Sequence, residues 1–172
     1  MEAPELQSRL RAAFAPMQRP AKEAITGCTC WECTEIRDDF GSAEPGELPG
    51  KLMGYHCYDL GFMTPEARLY FLRGWMELAI QQPERPYGGA VCDILCRDDS
   101  WIQEANPSED QIAVTIAFLE FLRERSGGRP DPERTRALEI LKSFKLPPEN
   151  QQAEQVGAPN PATRRESGLE GG

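Results

Sequence analysis

TPEARLYFLRGWMELAIQQ, residues 64–82, decides the fold. Thr64 has the side-chain oxygen that caps a helix start, and Pro65 suits the first helical position because its missing N–H would be unpaired there. Glu66 complements the positive end of the helix dipole. Leu69, Leu72, Met76 and Ile80 recur on one side, with Tyr70, Phe71, Trp75 and Leu78 beside them. So wide an apolar stripe predicts a helix at the centre of the core, stopped by Pro83.

The flanking sequence reads as further helices. Upstream, Leu6, Leu10 and Phe14 predict a helix over about 4–15, ended by Pro16 and Pro20. Ile36 and Phe40 predict another over 31–40, followed by a loop or broken turn at 41–50. Downstream, a helix is expected over 90–98 with Cys92 and Cys96 one turn apart. Ser108 and Gln111 match a capping box and open a helix with Ile112, Ile116, Leu119 and Leu122, ending near Gly127. Asp131 and Pro132 open a last helix with Leu138, Leu141 and Phe144. The expected fold is all-α: five to seven helices around the 64–82 and 109–125 pair, with a loop-rich cysteine segment near the N-terminus. One helical domain is expected over 1–146. The stretch 147–172 has no aromatic residue and is rich in Gln, Glu, Pro and Gly. It cannot bury enough apolar surface to offset its chain entropy, and a disordered tail is expected there.

The 172 residues carry a formal net charge of −9. Such a surface repels phosphate backbones, and the only adjacent basic pair is Arg164–Arg165. Nucleic-acid binding is therefore not expected, whereas a basic protein partner is electrostatically suited. The N-terminus lacks the basic region and apolar run of a signal peptide, and no apolar stretch approaches the roughly 20 residues that span a bilayer. A cytoplasmic protein is expected, in a compartment where thiols stay reduced and cysteines read first as free thiols or metal ligands.

Cys28-Thr-Cys-Trp-Glu-Cys33 overlaps a C-x-C with a C-x-x-C. Thiolates at this spacing can converge on one tetrahedral zinc ion, which takes four ligands in a closed site. Cys28, Cys30 and Cys33 supply three; His56, the single histidine, or its neighbour Cys57 is the candidate fourth, pinning the 28–33 loop to the 55–57 segment. Cys92 and Cys96 are a further possible pair. Against the metal stands a plainer alternative, that these are small thiols packed among apolar neighbours. A redox dithiol at Cys30–Cys33 is a third possibility: a helix start lowers a thiol pKa, but Glu32, Glu35, Asp38 and Asp39 oppose a thiolate.

No catalytic residue is expected. His56 reads as a hydrogen-bonded structural residue, Asp38–Asp39 and Asp98–Asp99 as solvated pairs at helix ends, and Gly88-Gly89 as a short turn. No phosphate-loop, dinucleotide or nucleophile-elbow motif is present. The expected function is a protein-binding or accessory role, with an immunity-like protein blocking a basic toxin or nuclease as one form. The alternatives are a small zinc-binding domain and a thiol oxidoreductase.

Three stretches, AFAPMQRP (13–20), CWECTEIRDDF (30–40) and YHCYDLGFMTPEARLYFLRGWMELAI (55–80), are followed by Trp101 and SEDQIAVTIAFLEFLRER (108–125). Together they resemble a family of uncharacterised bacterial proteins, a domain of unknown function, over about residues 8–125. Its most specific element is the Phe-x-Thr-Pro-Glu-Ala run at 62–67. The resemblance implies a mainly helical fold and a bacterial origin, and no activity or site residue.

Overall fold

The computed structural model describes residues 1–48, 50–97 and 100–144. It is all-α among these residues, with eight helices. They are α1 (Ala3–Phe14), α2 (Trp31–Phe40), α3 (Gly50–Tyr55), α4 (Pro65–Gln81), α5 (Tyr87–Arg97), α6 (Ser100–Ala105), α7 (Glu109–Arg125) and α8 (Pro132–Ser143). Three short 3-10 turns, Lys22–Ala24, Pro45–Glu47 and Asp59–Phe62, connect them. The six expected helices are present, but α5 begins at Tyr87 and takes in Gly88 and Gly89, which are helical and not the short turn expected. The two that raise the number to eight are α3 and α6, six residues each, too short for a periodic pattern to register. The expected tail at 147–172 and the Asp98–Asp99 pair lie outside the described residues.

The helix ends follow from the local chemistry. Thr64 accepts from the Ala67 N–H, Asp131 accepts from the Arg134 N–H, and Ser108 and Gln111 close both hydrogen bonds of a capping box. Beyond α7, Gly127 (φ 64°) and Gly128 (φ 71°) take the left-handed conformation that ends it.

α4 is central. Trp75, Phe71, Leu72 and Met76 are fully enclosed, and α1, α5 and α6 all pack against it. α8 lies on α5 and α7, and α7 lies on α1. Buried apolar side chains from α1 to α8 form one continuous cluster. Each large side chain enclosed this way contributes about 1.5–3 kcal/mol. α2 joins through Phe40, which stacks on Trp75 (ring centroids 5.7 Å apart) and meets Phe71 edge-on.

Two charged residues of α4 are buried with it. Arg68 donates to the backbone carbonyls of Leu60, Gly61 and Met63 and stacks over Trp101. One guanidinium thereby fastens the 3-10 turn Asp59–Phe62 and the following Met63 to α4. Glu77 is met by Arg11 at 3.1 Å and by Arg73 at 3.7 Å. Among the described residues, no helix is long and apolar enough to cross a membrane.

Gly74 sits where the turn Pro45–Glu47 crosses α4. A Cβ there would lie 2.5 Å from both Leu48 Cδ1 and the Pro45 carbonyl oxygen. In an open helix, glycine to alanine stabilises by about 1 kcal/mol. Here the overpacking, about 1–3 kcal/mol, reverses the sign. Gly74→Ala is expected to lower the unfolding free energy in urea titration by up to about 2 kcal/mol. A more stable variant would show that the turn does not rest on the helix.

Candidate metal centre

The cysteine segment is held at both ends. At its start, the Ile25 carbonyl accepts from the Thr64 N–H at 2.9 Å, and the Ala24 carbonyl accepts from the Thr64 hydroxyl at 2.7 Å. An isolated antiparallel bridge pairs Thr26 with Met63, the only β pairing among the described residues. At its far end, Cys30 is the extended N-cap residue of α2, and Cys33 faces inward with Ile36 and Phe40. The chain must reverse between these anchors, and residues 27–30 make the reversal.

Arg37, one turn beyond Cys33, locks the reversal. Its guanidinium donates to the Cys28 carbonyl, to Thr26 Oγ1 at 2.8 Å and to Thr34 Oγ1 at 3.0 Å. Thr26 in turn donates to the Cys33 carbonyl, and Thr34 to the Cys30 carbonyl. A planar fork spans the three acceptors from two separate nitrogens, whereas a lysine offers all its donors from one.

The outcome is a convergence of sulfurs. The Sγ atoms of Cys28, Cys30 and Cys33 all lie within 4.8 Å of one another. Cys28 and Cys30 are 2.9 Å apart, and the Cys30 N–H points at Cys28 Sγ. Three thiolates about 2.3 Å from one tetrahedral ion stand about 3.8 Å apart. The cluster is thus within small side-chain rotations of a three-thiolate site. Cys33 forms its buried floor, and Cys28 and Cys30 its exposed rim.

The thiols differ electrically. Hydrogen bonds from the Cys30 and Cys33 thiols, then the Cys30 N–H and the Arg37 charge, hold the Cys28 pKa below its ordinary value. Burial, and next the neighbouring Cys28 and Cys30, push Cys33 up to about 12. The sulfur held low is therefore Cys28, outside the Cys30–Cys33 dithiol pair. An ion would have to displace the protons of all three, so its affinity rises with pH.

The other expected ligands are elsewhere. His56 is 1% exposed, with Nδ1 at 2.6 Å from Asp59 Oδ2 and Nε2 at 2.7 Å from Asp39 Oδ2. Both ring nitrogens are occupied, and the histidine ties the 55–59 segment to α2. Cys57 is buried beside it, its thiol pushed up by burial and by Asp59, while its carbonyl accepts from Trp75 Nε1. Neither belongs to the sulfur group. Cys92 and Cys96 lie on α5; burial pushes Cys92 up to about 12 and raises Cys96 as well. Asp38 pairs with Lys22 at 2.7 Å, so the Asp38–Asp39 pair is divided between two partners.

Sequence reasoning passed over Arg37 and Thr26. The signal for Arg37 was its isolation: it is the only basic residue in α2, among Glu32, Glu35, Asp38 and Asp39.

Fold and site together define a helical protein with a three-cysteine group that could hold a metal ion. No family model matches the chain, and neither does a curated protein or a solved structure.

Native protein treated with iodoacetamide near pH 7 is expected to be labelled at Cys28 and Cys30, Cys28 faster, and at Cys33, Cys57 and Cys92 only after unfolding. Thiolate fraction rises with pH, so a lowered pKa brings the Cys28 rate up at lower pH than a thiol titrating at the ordinary 9.0. Peptide mass spectrometry at several pH values checks both. Equal rates at all six sites would contradict the burial described.

Proposed function

We propose that this protein binds a thiophilic metal ion, zinc first, through Cys28, Cys30 and Cys33. The observation that carries the reading is the convergence of three sulfurs within 4.8 Å at an anchored reversal of the chain. Thiolate ligands select zinc, monovalent copper and iron–sulfur centres over harder ions, and zinc is the one without redox chemistry. The Arg37 bridges support the reading because they hold the loop's backbone in place without using any sulfur. When bound, the ion would supply a Lewis-acidic centre at the mouth of the loop, within a group whose charge with three thiolates is net negative.

Metal content by mass spectrometry on zinc-loaded, desalted protein tests this. About one ion per chain is expected in the wild type, falling by about tenfold or more in Cys28→Ser, Cys30→Ser or Cys33→Ser. Cys57→Ser is expected to keep the ion. Metal-free wild type with six titratable thiols would refute the reading.

A second reading, a docking face for a basic protein, is supported by the exposed aromatics. Trp31 is 69% exposed, and Tyr55, Tyr58 and Phe62 are exposed as well. Tyr55 is tied to α2 by its hydrogen bond to Glu35, and Trp31 is the first residue of α2, so these two rings adjoin its acidic residues. Aromatic anchors with an acidic rim suit an arginine- or lysine-rich surface. A partner recovered by wild type from its host and lost with Trp31→Ala would fit; equal recovery by both proteins would count against this face.

A further inference from the structure

Resting on the metal reading above, we propose that the ion held by Cys28, Cys30 and Cys33 keeps one coordination position for a ligand from outside the chain, and that this ligand is a neutral imidazole. The argument starts from ligand supply. All six cysteines and the single histidine fall within the described residues, so their positions are known. Three thiols form the cluster. His56 gives both nitrogens to Asp39 and Asp59. Cys57 is enclosed beside Trp75, and Cys92 and Cys96 belong to α5. Among the described residues, no aspartate or glutamate joins the sulfurs. A tetrahedral ion on three protein ligands retains a fourth position, the arrangement of zinc sites that act on bound ligands rather than merely brace a fold.

Orientation then sets where that position faces. Cys33 is the buried floor, and Cys28 and Cys30 are exposed. An ion seated on three such sulfurs turns its remaining position away from the floor, toward solvent, where Trp31 also stands. Charge sets what fills it. A divalent ion with three thiolates carries one net negative charge, and Glu32 and Glu35 lie on the adjoining turn of α2. The Arg37 guanidinium is turned onto the Cys28 carbonyl. A further anion is opposed by this field, whereas a neutral nitrogen donor is not. Imidazole can come from a histidine of another protein or from a small imidazole compound. Water occupies the position otherwise, and exchange of water for imidazole leaves the charge unchanged.

Cobalt(II) substitution makes the position visible, because its absorption bands report coordination number and donor type. The full chain is loaded with one cobalt per molecule and titrated with imidazole, with 2-mercaptoethanol in parallel. The expected result is a saturable one-to-one band shift with imidazole, and a weaker response to the thiol near neutral pH. An N-acetylated Lys-Lys-His-Lys-Lys peptide separates the two sources. Binding about tenfold tighter than free imidazole identifies a basic protein as donor, and equal binding a small molecule. Cobalt that binds with bands imidazole does not move overturns this inference and leaves the metal reading standing. So does loss of cobalt from folded Cys57→Ser, which would reveal an internal fourth ligand. No cobalt uptake overturns the metal reading itself.

Discussion

The structure depends on what Thr64 does. Its side chain caps α4, its N–H donates to Ile25, and its hydroxyl donates to Ala24, 40 residues earlier in the chain. One residue thereby starts the central helix and fastens the cysteine loop to it. Without that junction, α4 would still bury its apolar stripe, but the reversal at 27–30 would lose a fixed end. The core and the candidate site are connected by two hydrogen bonds from Thr64, to Ile25 and Ala24, and by the packing of Ile25, Cys33, Ile36 and Phe40 into the core.

The buried charges show the same economy. Arg68, Glu77, His56 and Arg134 are all nearly enclosed, and each has hydrogen-bonding or charged partners. Removing one partner from such a group costs more than the bond contributes, because the other is left desolvated. Arg68 and His56 do more than satisfy each other's neighbourhoods. Arg68 ties the Asp59–Phe62 turn to α4, and His56 ties the segment before it to α2. The irregular stretch from 55 to 63 therefore takes its shape from two side chains on either side of it.

Much of this was legible in the sequence, where the signals are local. Thr64-Pro65-Glu66, Ser108 with Gln111, and Asp131-Pro132 each specify a helix start through chemistry within four residues. The apolar recurrences of α1, α2, α4 and α7 likewise need no partner to be read. The short helices α3 and α6 were not legible, because six residues carry less than two turns of pattern. The His56 geometry was not legible either: Asp39 is 17 residues away, and only the fold brings it to the ring. The three sulfurs were legible as a group because they are neighbours in the chain. Their separation from His56 and Cys57 was not, because sequence adjacency to a candidate says nothing of which way a side chain faces.

That the three sulfurs span only six residues has a thermodynamic consequence. A ligand stabilises a fold only to the extent that it prefers the folded chain to the unfolded one. In sites assembled from distant segments the unfolded chain offers no comparable ligand set, and the ion and the fold stand or fall together. Here an unfolded chain still carries Cys28, Cys30 and Cys33 within reach of one ion, and the fold adds mainly the anchoring by Thr64 and Arg37. Occupancy of such a group and folding would thus be only weakly linked. An ion bound there would leave with the core intact, and a newly made chain would already carry the ligand set before α4 forms.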